Sequence, residues 1–164
     1  MIFNFKRHNS DLYTTLLYLS RNLYFYKKIK LNDTFETRIY LMLMHFSIIL
    51  IIYKNKKIKF NQDSYDSLFY NIENNLRELG FGDVGVNNKM KNLNKILYDI
   101  LLKINKSKKD FKTNEKIVFK YFIELKNLDN IKYELFDQYL CNFYHFCFEK
   151  DHKIMIQEAL NFKE

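Results

Sequence analysis

The sequence predicts an all-α protein: six to seven helices packed around one apolar helix near residues 34–53. Three observations predict it. Apolar residues recur at three- and four-residue steps along most of the 164 residues. No stretch alternates with period two for long enough to make a strand. The chain has no proline, and its three glycines all fall between 80 and 85, so the residues that break helices are confined to one place.

Taken in order, Leu12, Leu16, Leu17, Leu19 and Leu23 have helical spacing behind Ser10 or Asp11 as the cap. "NLYFYKKIK" reads as a short second helix or a turn. Asp33 and Glu36 stand three apart, the spacing of a reciprocal capping pair, ahead of a helix through "IYLMLMHFSIILIIYKNKK". Its apolar run, 39–53, reaches only about 22 Å at 1.5 Å per residue, short of the roughly 30 Å core of a bilayer. His45 lies near the centre of that run, where lipid would penalise it. The run therefore reads as a central core helix, and His45 as a core histidine with its polar atoms satisfied rather than as a ligand or base. "KNKKIKF" is a basic connection. Tyr65, Leu68, Phe69, Ile72, Leu76 and Leu79 form the stripe of the next helix. Helix resumes after the glycines in "NNKMKNLNKILYDILLKI", with Asn87 or Asn88 as the expected cap. "NKSKKDFKTN" is polar and basic, the best linker candidate. "EKIVFKYFIELKNL", "IKYELFDQYLCNFYHFCFEK" and "KIMIQEALNF" supply the last helices. Length and composition fit one domain over 1–164, with a motif-bearing core at about 12–105 and a helical C-terminal part at about 114–163.

The charge is uneven. Residues 1–114 carry 20 Lys/Arg and 10 Asp/Glu, a balance of +10, and residues 115–164 carry 7 and 9, a balance of −2, which sum to the net +8. A basic N-terminal two-thirds suits an anionic partner such as RNA, the ribosome or an anionic leaflet; a solvated lysine surface fits the composition equally well. Only Arg7, Arg21, Arg38 and Arg77 are arginine among 27 basic residues. These four are the candidates for positions that need a planar fork, and their scarcity speaks against specific DNA reading. Aromatics are rarely interleaved with the basic runs, so base stacking is not favoured. Cys141 and Cys147 suit a reducing compartment or none in particular. "MIFNFKRHNSD" has no apolar core and no cleavage site, so no secretory signal is expected.

"RELGFGDVGVNNKMK" holds the glycines. Gly80 is expected at the left-handed position ending one helix, with Gly82 and Gly85 allowing two further unusual turns. The letters G-x-G-x-x-G are present, but a phosphate cradle should follow a strand; here it follows a helix, and Asp83 would meet the phosphate. A helix–loop–helix corner is the better reading. Cys141, His145 and His152 share one helical face while Cys147 turns away into a core stripe, so a zinc site is not expected. No cluster of nucleophile, base and acid stands out. The sequence thus predicts no catalytic residue, metal or cofactor, and the chain is expected not to be an enzyme.

"LRELGFGDVGVNNKMKNL" resembles the signature of the ubiquinol–cytochrome c chaperone family, assembly factors of the bc1 complex: Leu76, Arg77, Glu78, Leu79, Gly80, Gly82, Asp83 and Val86 match it, followed by Lys89 and Met90. "LYLSRNLYFY" is similar to a Ser-Arg-x-x-x-Phe-Tyr element through Ser20, Arg21, Phe25 and Tyr26. Asp33, Thr34, Arg38 and His45 are similar to a third element. Leu23, Asn32 and Asn87 stand where the family usually has proline, and Asn71 replaces one of two acids. The resemblance implies a non-catalytic chaperone that holds newly made cytochrome b and promotes its entry into the bc1 complex. The corner at Arg77, Glu78, Gly80, Gly82, Asp83, Val86, Lys89 and Met90 has two compatible readings: structural first, with the glycines serving the backbone and Arg77 forking onto a carboxylate, and second a client-facing surface. Arg21, Phe25, Tyr26, Asp33, Thr34, Arg38 and His45 would be structural, with the arginines forking onto carboxylates such as Asp33, Glu78 or Asp83. Further expected contacts are the ribosome, a second assembly factor and the membrane surface. The expected place is the cytoplasmic face of a bacterial inner membrane, with the matrix face of the mitochondrial inner membrane as the alternative. The competing reading is a basic helical adaptor for RNA, ribosome or anionic membrane with no dedicated client.

Overall fold

Helix α2, Phe35–Asn55, runs through the middle of the protein, and every residue from Leu41 to Ile49 is buried. The computed structural model describes residues 11–126 and 130–164. Ser10, Arg7 and the rest of "MIFNFKRHNS" lie outside the described residues, as does the end of "IELKNL". The other helices are α1 Asp11–Ser20, α3 Gln62–Glu78, α4 Asp83–Lys103, α5 Glu115–Tyr121, α6 Asn130–Phe148 and α7 Met155–Glu158, with a π-turn at Tyr24–Lys28 and 3-10 turns at Ile123–Leu125 and Ala159–Asn161. Among the described residues there is no strand, only an isolated bridge between Asn105 and Thr113.

Helix α2 is apolar enough over its best 18 residues, at a mean hydropathy of 1.6, to cross a membrane by length and composition, yet 72% of that window is buried inside the protein. Helices α1, α4 and α6 cover it, α3 packs on α1 and α4, and α7 returns to α1. The wall between α2 and α6 is aromatic. Phe25 lies 4.7 Å from Tyr139 between ring centroids, and His45 lies 4.8 Å from Phe143 edge to face. Such pairs add specific geometry to the area they bury.

His45 is fully buried with both ring nitrogens used. Nδ1 lies 2.6 Å from the Leu41 carbonyl and Nε2 lies 2.9 Å from the Tyr139 hydroxyl. A carbonyl only accepts, so Nδ1 carries the proton and Nε2 accepts from Tyr139. Burial pushes the His45 pKa down to about 4, which keeps the ring neutral.

Several local expectations change. Helix α2 is capped by Thr34, whose hydroxyl accepts from Thr37 N–H at 3.1 Å. The expected Asp33–Glu36 capping pair does not form, because Asp33 is taken by Arg38. Helix α4 starts at Asp83 behind Gly82, not at Asn87 or Asn88. Leu79 is not part of the buried stripe of α3, because the helix ends before it and turns it to solvent. Helix α5 stops at Tyr121: Phe122 leaves helical geometry so that its ring can pack 5.0 Å from Phe136. The linker candidate 105–114 is a closed loop. Asn105 Oδ1 accepts from the N–H groups of Ser107 and Lys112, and buried Phe111 stacks on Tyr144 at 4.7 Å.

Candidate functional site

The corner between α3 and α4 is built by one glycine. Gly80 has φ +95°, where a side chain is strained. Its N–H donates to Arg77 O, and Phe81 N–H donates to Leu76 O. These are the two bonds of a Schellman ending. Gly82 is extended at the cap of α4 and Gly85 is inside the helix, so neither makes the unusual turn expected of it.

Arg77 closes the corner. Its guanidinium bonds Asp83 across the bend and Glu73 one turn back at 3.0 Å. Glu78, also a candidate partner, is exposed and takes no part in this fork. Asp83 thereby places a carboxylate at the N-terminus of α4, where the dipole favours it, and α3 rather than a strand precedes the glycines.

The corner's outer face is apolar. Leu79 is 58% exposed, Phe81 39% and Val84 76%. Lys89 Nζ lies 4.6 Å from the centroid of the Phe81 ring. Just behind, Leu76 and Lys89 join Phe35, Ile39, Tyr40 and Leu93 around a small cavity of about 60 Å³. Of the eight expected corner residues, Arg77, Glu78, Gly80, Gly82 and Asp83 are exposed, Lys89 is half-buried, Met90 is partly buried against the core, and Val86 is fully buried as a packing residue. Sequence reasoning missed Phe81 and Val84. Their signal was visible: apolar side chains between glycines, where no helical stripe claims them.

The other expected residues gather elsewhere. Arg38 forks onto Asp33 through Nε at 2.7 Å and Nη2 at 2.9 Å, and this pairing holds Asp33 below the usual carboxylate range. Tyr26 lies beside Arg38 and donates to Ser20 O at 2.5 Å. Two sequence elements thus meet in one structural knot, with Thr34 capping and Phe25 and His45 in the core behind it. Arg21 departs from expectation. It is exposed at the turn after α1, near Tyr18 and Leu23, and pairs with no carboxylate among the described residues.

Cys147 is buried with its thiol pushed up to about 12 by burial. Cys141 faces Thr113 at 3.7 Å. No three His, Cys, Asp or Glu side chains among the described residues converge as a metal site.

A family model described as ubiquinol-cytochrome C chaperone matches residues 27–115, from the π-turn to the first residue of α5. The knot's Ser20, Phe25 and Tyr26 fall just ahead of the matched stretch. Neither the curated proteins nor the solved structures gave a match.

Proposed function

Because the chain belongs to the ubiquinol-cytochrome C chaperone family, whose model covers more than half of it, we propose that it binds newly made cytochrome b and delivers it, as one domain, to the growing bc1 complex. The family itself implies a non-catalytic part in building ubiquinol–cytochrome c reductase. The finer reading rests on one observation: exposed Leu79, Phe81 and Val84 at a corner stiffened by Gly80 and the Arg77 fork. Apolar side chains held out on a rigid frame, beside a small cavity and ringed by charge, suit a short apolar segment of an unfinished membrane protein. The charged rim keeps the free corner soluble. Cytochrome b meets this protein at the inner membrane, on the bacterial cytoplasmic or the mitochondrial matrix face.

Deleting the gene should lower cytochrome b and bc1 activity, and restoring the wild-type chain should recover both. A chain with Phe81→Asp and Val84→Asp should fold normally, since neither side chain is part of the core, yet fail to crosslink to cytochrome b and fail to restore activity. Leu23→Asp, at an exposed apolar residue in a different turn, should restore it. Full rescue by the corner variant would reject the corner as the client surface; normal bc1 activity in the deletion strain would reject the whole reading.

A further inference from the structure

The two basic runs of the sequence, 54–59 and 103–112, meet at one end of the protein. Helices α2, α3 and α4 alternate in direction, so α2 and α4 both finish there. Between their ends lies a cleft of about 550 Å³. Leu50, Ile51 and Leu101 form its apolar floor, and Leu102, 76% exposed, stands at its mouth. Lys54, Lys108 and Lys109 rim it, against one carboxylate in the lining, Asp110. Asp110 accepts from Phe111 N–H at 2.8 Å and lies 3.8 Å from His145. None of the three lysines pairs with an acid among the described residues.

We propose that this end is a docking surface for the anionic phospholipid of a bilayer, with headgroups on Lys54, Lys108 and Lys109 and Leu102 entering the interface. Helix-end stabilisation accounts for Lys54 and Lys103, which lie in the last turns of their helices. It does not account for Lys108 and Lys109, which lie five and six residues beyond α4, past the reach of its dipole. The loop that carries them is held by Asn105 and by Phe111 stacked on Tyr144, so the cations are presented on a fixed frame. An apolar floor under a cationic rim complements an amphiphile with an anionic head. RNA fits less well. It needs exposed aromatic faces for stacking, and the lining's one aromatic, Tyr144, is buried.

The test is co-sedimentation of the full chain with vesicles of phosphatidylcholine alone, or carrying about one third phosphatidylglycerol. The wild type should bind the anionic vesicles and leave the neutral ones. Replacing Lys54, Lys108 and Lys109 together by Gln should weaken binding on the order of 100-fold, at about fivefold per lysine. Replacing Lys27, Lys28 and Lys30 by Gln, at the far end of α2, should change it only a few-fold. Leu102→Ser should remove whatever binding survives high salt. Equal losses from both triple variants, equal binding to neutral vesicles, or preferential capture of poly(U) RNA would each overturn the proposal. The Phe81→Asp corner variant should bind vesicles as the wild type does, so failure of the lipid site and failure of the client site are separable.

Discussion

Gly80 and Gly85 stand five residues apart and answer oppositely to the same substitution. At Gly80, φ +95° is a conformation that alanine adopts at a cost of about 1–2 kcal/mol. At Gly85 the backbone is helical, and a new Cβ would meet the Phe81 ring at an ordinary 3.8 Å. Alanine there should stabilise by about 0.5–1 kcal/mol. Urea unfolding midpoints for the two variants should therefore move in opposite directions; parallel shifts would mean that the corner is not built on Gly80. His45 gives a second prediction. Its folded pKa, about 4, lies below the ordinary 6.5, so the unfolded chain takes up a proton that the folded one refuses. The stability contributed by the neutral ring is complete above pH 6.5 and drains as pH falls toward 4, by about 3 kcal/mol in all. Replacing His45 by Gln should lower stability at pH 7 while flattening its decline between pH 6.5 and 4. A decline as steep as in the wild type would assign that window to other groups.

Helix α5, at seven residues, is too short to hold itself by propensity. Asp99 on α4 fastens it: its carboxylate accepts from Lys120 and Tyr121 of α5, each at 2.5 Å, as well as from Lys103 on its own helix. These partners hold Asp99 well below the usual carboxylate range. The fastening is thus present above that range and is lost as pH falls beneath it. Asp99→Asn should speed amide exchange in α5 about tenfold while leaving α2 protected; unchanged α5 exchange would show that Ile117, Val118 and Phe122 hold the helix by packing alone.

Across the whole molecule, α4 separates two surfaces of opposite character. Its 21 residues put about 30 Å between the apolar corner at its start and the basic cleft at its end. A protein docked by the cleft would hold the corner off the bilayer, at the height of an emerging segment rather than of an inserted helix. Salt should then separate the two contacts, because lysine–headgroup attraction fades as ionic strength rises while apolar contact at Phe81 does not. The helical class, the central place of α2, the satisfied core histidine and the corner at Gly80 were all legible in the residues alone, together with the family. All follow from periodicity, composition and a handful of residues whose backbone or fork geometry is local. So were Asp33, Arg38, Arg77 and Asp83, which pair within six positions of one another. It took the packed fold to show that Tyr26 joins the Asp33–Arg38 pair, that Val86 faces inward while Leu79, Phe81 and Val84 face out, and that Lys54 and Lys108 share one cleft. Those outcomes depend on how whole helices pack, and a periodicity shows which face of a helix is apolar but not which neighbour covers it.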